Sequence, residues 1–164
     1  MTIIIRDAAS GDAEAACETM RRSITELCAA DHRDDPRILA AWLANKQPEI
    51  FQAWLSRTDQ SYIVAVEADR IVAVGAVTDK GEITLNYVSP DHRFKGVSRA
   101  MLAALEKRAL GHGNDWSTLT STATARRFYL ASGYVETGPA PDNFGRVTGF
   151  RMAKPLSSLP ATRV

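Results

Sequence analysis

The stretch from Glu82 to Leu102, EITLNYVSPDHRFKGVSRAML, decides how this chain folds. Its first seven residues, ending at Val88, are rich in Ile, Thr, Leu, Tyr and Val and predict a β-strand. The next three, Ser-Pro-Asp, predict a turn, because proline presets one backbone angle and serine and aspartate bond locally. A basic loop containing Gly96 follows, and from Val97 onward the apolar spacing predicts an amphipathic helix. The stretch therefore predicts a strand, a glycine loop and a helix in direct succession.

This arrangement predicts an anion site at the start of the helix. The first turn of a helix has unpaired backbone N–H groups and the positive end of the helix dipole. Gly96 lets the N–H groups from Lys95 through Arg99 approach a ligand, and Arg93, Lys95 and Arg99 add positive charge. No G-x-x-x-x-G-K-[ST] or G-x-G-x-x-G pattern occurs in the chain. A phosphate or pyrophosphate is the expected guest, and an ordinary strand-to-helix connection with a solvated basic rim is the alternative.

Two motifs in this order resemble the GNAT superfamily of N-acetyltransferases. Arg93-x-x-Gly96-x-Ser98 is similar to the acetyl-CoA signature Q/R-x-x-G-x-G/A, with serine in the last small position. The stretch TATARRFYLASGY, from Thr122 to Tyr134, is similar to the second motif of the family, N-x-x-A-x-x-F-Y-x-x-x-G-F/Y. The resemblance implies a single α/β domain whose mixed, mostly antiparallel sheet is flanked by helices and splays open at a cofactor cleft.

The rest of the chain fits one α/β domain over residues 1–155, followed by a flexible tail over 156–164. Pro36 and Pro48 are placed to start helices, because proline suits the first helical position. Both tryptophans of those helices are expected in the core, with a pocket wall as the alternative. The predicted strands are Ile3 to Arg6, Ile63 to Glu67, Arg70 to Val77, Glu82 to Val88, Trp116 to Ser121, Tyr134 to Thr137 and Val147 to Lys154. The other predicted helices have apolar residues at positions 13, 16, 17, 20, 24, 27 and 28, from Val97 to Ala109, and over Thr122 to Ser132.

Composition and charge indicate which partners, compartment and bound groups to expect. The formal net charge is +1, which gives no electrostatic case for a nucleic-acid partner. The apolar run at the N-terminus is too short for a signal peptide or a membrane span, so we expect a cytoplasmic protein. Cys17 and Cys28 are eleven residues apart on one predicted helix, about 16 Å along its axis, so we expect two free core cysteines. No residue cluster suggests a metal site.

The resemblance implies acetyl-CoA as co-substrate and a set of residues that bind it. In the family, the strand before the glycine loop bulges, and the pantetheine arm bonds along its end, with the N–H of Val88 in the oxyanion role. Thr122 stands where asparagine is common, so the usual amide contact to the cofactor arm is in doubt. The expected cofactor-binding residues are Asn86, Tyr87, Val88, Arg93, Lys95, Gly96, Val97, Ser98, Arg99, Thr122 and Phe128.

Two residues are candidates for the proton transfers. Tyr129 matches the recurrent tyrosine of the second motif, which implies that its phenol donates a proton to the departing thiolate; packing against the sheet is the alternative. Glu82 lies at a strand position where one branch of the family has a catalytic glutamate, and a chain of waters is the alternative base.

The acceptor is expected between the first helices and the splayed strands, where Arg22, Ser23 and His32 are candidate ligands. The predicted activity is acetyl transfer from acetyl-CoA to a primary amine by direct attack in a ternary complex. The amine belongs to a small molecule or to a protein. The alternative is a non-catalytic acyl-CoA-binding or regulatory module of the same fold. Edge strands near the C-terminus could pair across a homodimer.

Overall fold

The computed structural model describes residues 2–140 and 149–156, which form one α/β domain. Within these ranges the strands are β1 (Ile4–Asp7), β2 (Gln60–Glu67), β3 (Arg70–Thr78), β4 (Glu82–Val88), β5 (Trp116–Ser121), β6 (Val135–Pro139) and β7 (Phe150–Pro155). The helices are α1 (Ala13–Leu27), α2 (Ala29–His32), α3 (Pro36–Leu43), α4 (Pro48–Leu55), α5 (Val97–Gly111) and α6 (Arg126–Ala131). Short 3₁₀ turns precede α1, at Ser10–Asp12, and follow β4, at Pro90–His92.

The seven strands form one sheet in the order β1-β2-β3-β4-β5-β7-β6. Neighbours pair antiparallel everywhere except at β4 and β5, which run parallel. Parallel neighbours need a long crossover, and α5 supplies it by leading from the end of β4 back to the start of β5. The predicted mixed, mostly antiparallel sheet is confirmed.

The core has one layer on each face of the sheet, because successive side chains of a strand point to opposite faces. Ile63 and Ala65 of β2 pack with the apolar side of α5, whereas Tyr62 and Val64 pack with α1 and α4. Gly75 of β3 lies directly under α5. A Cβ atom there would come within 3.0 Å of the Met101 sulfur, so this glycine permits the close approach of helix and sheet.

Both predicted proline starts are confirmed, and both tryptophans belong to the core. Pro36 and Pro48 begin α3 and α4, and the side chain of Asp35 caps α3 by accepting from the Arg37 N–H at 2.9 Å. Trp42 is buried, and Trp54 stacks on Tyr62 with ring centroids 6.1 Å apart. The two short helices therefore contribute to the core through their aromatic faces.

Two helix boundaries differ clearly from the sequence-based predictions. The first long helix ends at Leu27, because Cys28 leaves helical geometry and a separate turn of helix, α2, follows. Both cysteines are nevertheless buried in the core, as expected. The helix predicted from Thr122 begins only at Arg126, because residues 122–125 form a turn that side chains hold. Residues 157–164 of the predicted tail and 147–148 of the predicted last strand lie outside the described residues.

Candidate active site

A cavity of about 670 Å³ opens where β4 and β5 diverge. The two strands pair only at Glu82–Thr118 and Ile83–Leu119, although β4 continues to Val88. A bulge adds one residue, Thr84, to β4 opposite β3 and bends the strand at this point. Beyond the bulge, β4 remains paired with β3 but leaves β5, so that the opposite edge of β4 lines the gap. The splayed cleft that the resemblance implied is therefore present.

The end of β4 presents backbone donors to this cavity. Asn86, Tyr87 and Val88 all line it. The Ser89 N–H donates to the Val72 carbonyl of β3 at 2.8 Å. Because successive N–H groups of an extended strand point to opposite edges, the Val88 N–H points away from β3 and toward the gap. The geometry is that of a donor available to an oxygen in the cleft.

The start of α5 forms the second wall, and its backbone is built around Gly96. This residue is the N-cap and has φ +79°, a left-handed conformation that suits glycine. The first helical bond runs from the Ala100 N–H to the Gly96 carbonyl, so the N–H groups of residues 97–99 have no acceptor within the helix. Val97, Ser98 and Arg99 line the cavity together with Gly96.

The three predicted cations at the start of α5 differ in whether they line the cavity. Arg93 lines the cavity, and its guanidinium lies 4.8 Å from the ring centre of Phe94. Phe94 has φ +62° and is 94% exposed, which is unusual for an apolar residue. Lys95 is exposed and lies outside the cavity lining. Two of the three predicted cations, Arg93 and Arg99, thus face the cavity.

Tyr129 of α6 closes the inner side of the cavity. Its side chain is 6% exposed, and its phenol oxygen accepts a hydrogen bond from the Asn86 amide nitrogen at 2.9 Å. Because this oxygen is the acceptor, the phenol hydrogen is available to a second group. Burial raises the pKa of Tyr129 to about 12, against the opposing effect of the Asn86 bond. The phenol therefore stays protonated throughout the neutral range and can act as a proton donor.

The turn before α6 completes this wall. Thr122 lines the cavity, and its hydroxyl oxygen accepts from the Ala125 N–H at 3.1 Å. It thereby stabilises the turn at the position where asparagine is common in the family. Phe128 also lines the cavity, with its ring edge-on to Tyr129 at 5.2 Å between centroids. The second motif thus contributes three lining residues that the sequence singled out.

Of the predicted acceptor ligands, Ser23 lines the cavity, whereas Arg22 and His32 do not. Arg22 forms ion pairs with Asp91 and Glu26, at 2.8 Å each, which raise the pKa of its guanidinium. It therefore fastens α1 to the loop after β4. His32 is fully buried, and its Nε2 lies 3.1 Å from the Ile24 carbonyl while its Nδ1 accepts from the Asp34 N–H. Both ring nitrogens therefore contact backbone groups around the end of α1, and the ring does not line the cavity.

Glu82 lies at the closed end of the cleft, where β4 and β5 still pair. Its side chain is exposed and outside the cavity lining, and its N–H donates to the Thr78 hydroxyl at 3.1 Å. The structure therefore does not bring this candidate base to the phenol of Tyr129. The bond from the Glu82 N–H to the Thr78 hydroxyl stabilises the turn between β3 and β4.

Several lining residues escaped the sequence reasoning. Leu27 and Cys28, at the end of α1, line the cavity opposite Thr124 and Ala125 of the turn before α6. Asp31, in α2, binds that turn from a position 92 residues earlier in the chain. Such a contact leaves no periodic or motif signal. In the described ranges no group of three or more His, Cys, Asp or Glu side chains could hold a metal ion. No helix there is long and apolar enough to cross a membrane.

Solved structures resemble this chain over nearly its whole length. A GCN5-related N-acetyltransferase from Rhodopseudomonas palustris is 26% identical, with TM-score 0.83, over 95% of this chain and 97% of its own. The PaiA N-acetyltransferase from Thermoplasma acidophilum, solved in complex with coenzyme A, is 19% identical, with TM-score 0.81 and coverages of 94% and 99%. An aminoglycoside 6′-N-acetyltransferase from Enterococcus faecium is 14% identical, with TM-score 0.70 and coverages of 96% and 99%. The last two likenesses concern the fold alone.

Comparison with curated protein sequences gives no significant match. The profile of the acetyltransferase (GNAT) domain family, in contrast, matches residues 28–156, which include most of the cleft lining, the glycine loop and the turn before α6. Since this match covers well over half of the chain, the chain belongs to the GNAT family of acetyltransferases.

Proposed function

We propose that the protein transfers an acetyl group from acetyl-CoA to a primary amine by direct attack within a ternary complex. The observation that carries the proposal is the cavity between β4 and β5, which is lined both by the start of α5, with its unpaired N–H groups, and by the buried phenol of Tyr129. An acyl-CoA has its phosphates at one end and its thioester at the other, joined by a long arm. A cleft that combines these two chemistries matches that molecule.

The start of α5 supports phosphate binding. The free N–H groups of residues 97–99 and the positive end of the helix dipole attract an anion, and Arg93 and Arg99 add charge-assisted bonds. Lys95, which is exposed beside them, would contribute at longer range. We assign the pantetheine arm to the free edge of β4 at Asn86, Tyr87 and Val88, and to Thr122 and Phe128 on the facing wall.

The chemical step needs an electrophilic thioester carbon, a proton donor for the departing thiolate and an acceptor for the protons that the amine loses. The lone pair of the amine nitrogen attacks the thioester carbon, and the carbonyl oxygen becomes an oxyanion that the Val88 N–H stabilises. The C–S bond then breaks, and the Tyr129 phenol gives its proton to the departing thiolate. Water returns a proton to the phenolate. The attacking nitrogen, which becomes cationic when it bonds the carbonyl carbon, loses a proton to solvent and so gives the neutral amide.

The acceptor amine must lose a proton before it attacks, because an ammonium with pKa near ~10 has no lone pair at pH 7. We propose that water takes this proton, since Glu82 is exposed and outside the cavity lining. We assign Ser23, which lines the cavity, to a hydrogen bond with the amine. The acceptor itself is the amino group of a small molecule or of a protein.

A thiol-release assay tests the function. Acetyl-CoA is supplied with a panel of small amines, polyamines, aminoglycosides, amino acids and peptides, and free coenzyme A is measured. We expect turnover with one class, which also identifies the acceptor. Absence of acetyl-CoA binding in calorimetry at millimolar ligand would contradict the proposal, and binding without turnover would favour a non-catalytic acyl-CoA-binding module.

Replacement of Tyr129 by phenylalanine tests the proton donor. Because the variant keeps the ring but loses the hydroxyl, we expect unchanged acetyl-CoA affinity and a kcat about 10²-fold lower. Tyr62→Phe is the matched control, since Tyr62 is also a buried tyrosine but lies outside the cavity. Full activity of Tyr129→Phe would remove the phenol from the mechanism.

A further inference from the structure

The break between α1 and α2 produces a short strap, residues 28–32, that crosses from the end of α1 to the turn before α6. Its last two residues, Asp31 and His32, are polar and almost completely buried, with 1% and 0% of their surfaces exposed. Buried polar groups of this kind are costly unless they are fully bonded. The partners of the two side chains therefore show what the strap connects.

His32 holds the strap to α1. Its Nε2 lies 3.1 Å from the Ile24 carbonyl and 3.3 Å from the Thr25 carbonyl, and its Nδ1 accepts from the Asp34 N–H at 3.1 Å. With Nδ1 as an acceptor, Nε2 carries the hydrogen and donates to carbonyls in the last turn of α1. The ring thus adds a donor to the last turn of α1, where the Ile24 carbonyl also accepts from the Cys28 N–H at 3.2 Å.

Asp31 holds the other side of the strap to the turn over residues 122–125. One carboxylate oxygen accepts from the Ala123 N–H at 2.7 Å. The other accepts from the Thr124 hydroxyl at 2.6 Å and from the Thr124 N–H at 3.3 Å. Hydrogen bonds to a carboxylate are roughly twice as strong as neutral ones, and these three join segments more than ninety residues apart in the chain.

These contacts join the two walls of the cavity. Leu27 and Cys28, next to the strap, line it from one side, whereas Thr122 and Thr124 line it from the other. The helix that carries Tyr129 begins directly after the turn, and the Tyr129 N–H donates to the Ala125 carbonyl at 3.1 Å. The position of the phenol therefore depends on the turn that Asp31 holds.

We propose that Asp31 is a positioning residue, which fixes the turn over residues 122–125 and thereby sets the width of the cleft and the place of Tyr129. Asp31 is outside the cavity lining, so it acts through Thr122, Thr124 and Tyr129 without touching the substrates. The catalytic part of this proposal rests on the proposed acetyl transfer. The structural part, the dependence of the turn and of coenzyme A affinity on Asp31, does not.

Asp31→Asn and Thr124→Val test the proposal singly and together. Asp31→Asn keeps the shape but replaces one acceptor oxygen by a donor, whereas Thr124→Val removes only the hydroxyl that bonds Asp31 at 2.6 Å. We expect Asp31→Asn to lower kcat about 10-fold and to weaken coenzyme A binding several-fold, with little change in KM for the amine, because a shifted catalytic group costs rate more than acceptor binding. In amide exchange the double variant should resemble Asp31→Asn alone, since the bond that Thr124→Val removes is one of the three that Asp31→Asn already disturbs.

Amide hydrogen exchange without ligand gives a readout that does not depend on activity. We expect faster exchange at Ala123, Thr124 and Tyr129 in Asp31→Asn, confined to that region. Asp35→Ala is the matched control, because it removes a helix-capping bond outside the cleft and so costs stability alone. Thr124→Val keeps the test valid if Asp31→Asn fails to fold.

The outcomes separate the two proposals. Unchanged exchange and unchanged coenzyme A affinity in Asp31→Asn, or effects equal to those of Asp35→Ala, would overturn the role of Asp31. Additive effects of Asp31→Asn and Thr124→Val would also overturn it. A wild-type protein that binds coenzyme A but releases no thiol with any amine would overturn the acetyl transfer, while exchange and affinity would still decide the role of Asp31.

Discussion

Burial separates two acidic side chains, Tyr129 and Glu82, that both start as candidates for proton transfer. Tyr129 lies inside the cavity wall, where loss of hydration raises the pKa of its phenol to about 12. Such a group holds its proton at neutral pH and is therefore in the protonated form that a proton donor needs. Glu82 lies in solvent at the closed end of the cleft. Because it is not among the residues that line the cavity, we propose that its carboxylate does not reach the reacting atoms.

Glu82→Gln therefore should change kcat/KM by no more than about 3-fold, because a base that takes no proton contributes none of the rate expected of a general base. The measurement is kcat/KM between pH 6 and pH 10, where the wild-type rate should rise as the amine loses its proton. Glu18→Gln, on the exposed side of α1, is the control for a lost surface charge. A loss near 10²-fold, with a changed pH profile, would instead make Glu82 the base.

At the scale of elements, the start of α5 has an uncommon backbone conformation and open space beside it. Gly96 has φ +79°, and no atom lies within 4 Å of the place where a Cβ would stand. A side chain there would be strained by the left-handed backbone and would project into open space at the edge of the cavity, where we propose that a phosphate binds. The same residue thus serves the local fold and the predicted ligand.

Gly96→Ala separates these two effects when it is compared with Gly113→Ala. Gly113 has φ +86° and equally open surroundings but lies after α5, away from the cavity. Both variants should lose about 1 kcal/mol of unfolding free energy to backbone strain. Gly96→Ala alone should weaken coenzyme A binding, by about 10-fold, because the methyl group displaces the anion from the helix N–H groups. Equal coenzyme A affinities in calorimetry would contradict the anion site.

At the scale of the whole molecule, the domain buries several weakly acidic groups that must stay neutral. Burial raises the pKa of the Tyr129, Tyr134, Tyr62 and Cys17 side chains above their ordinary values. Tyr134 shares its hydroxyl with Ser117 and Glu106, at 2.8 Å each, in the core beside α5. In each case the folded chain favours the protonated form more than the unfolded chain does.

Folding stability should therefore fall at high pH. Below about pH 10 tyrosines are neutral in both states, whereas between about pH 10 and pH 12 only the unfolded chain releases the Tyr129 proton, which favours unfolding. The contribution of Tyr129 alone at pH 11 is on the order of 1 kcal/mol. Urea titrations at pH 8 and pH 11 measure it, and Tyr129→Phe should show a smaller loss between the two. An equal loss in both proteins would mean that Tyr129 is not desolvated as described.

The sequence by itself determined the elements and the family. Apolar periodicity, proline starts and Gly96 act over a few residues, so they can be recognised in the sequence. The two motifs predicted that the segment from Arg93 to Arg99 binds the cofactor. The sequence also indicated Tyr129 as a candidate proton donor, because the residue lies within a contiguous motif. These features follow from short-range sterics and hydrogen bonding, which depend little on distant parts of the molecule.

Only the tertiary structure decided which side chains meet. The separation of Glu82 from the cavity, the ion pairs of Arg22 and the burial of His32 arise from how α1 and α2 lie on the sheet. The bonds from Asp31 to Thr124 join positions 93 residues apart. No local pattern encodes such a contact, because the free energy that favours it is gained only after the sheet and helices have packed together.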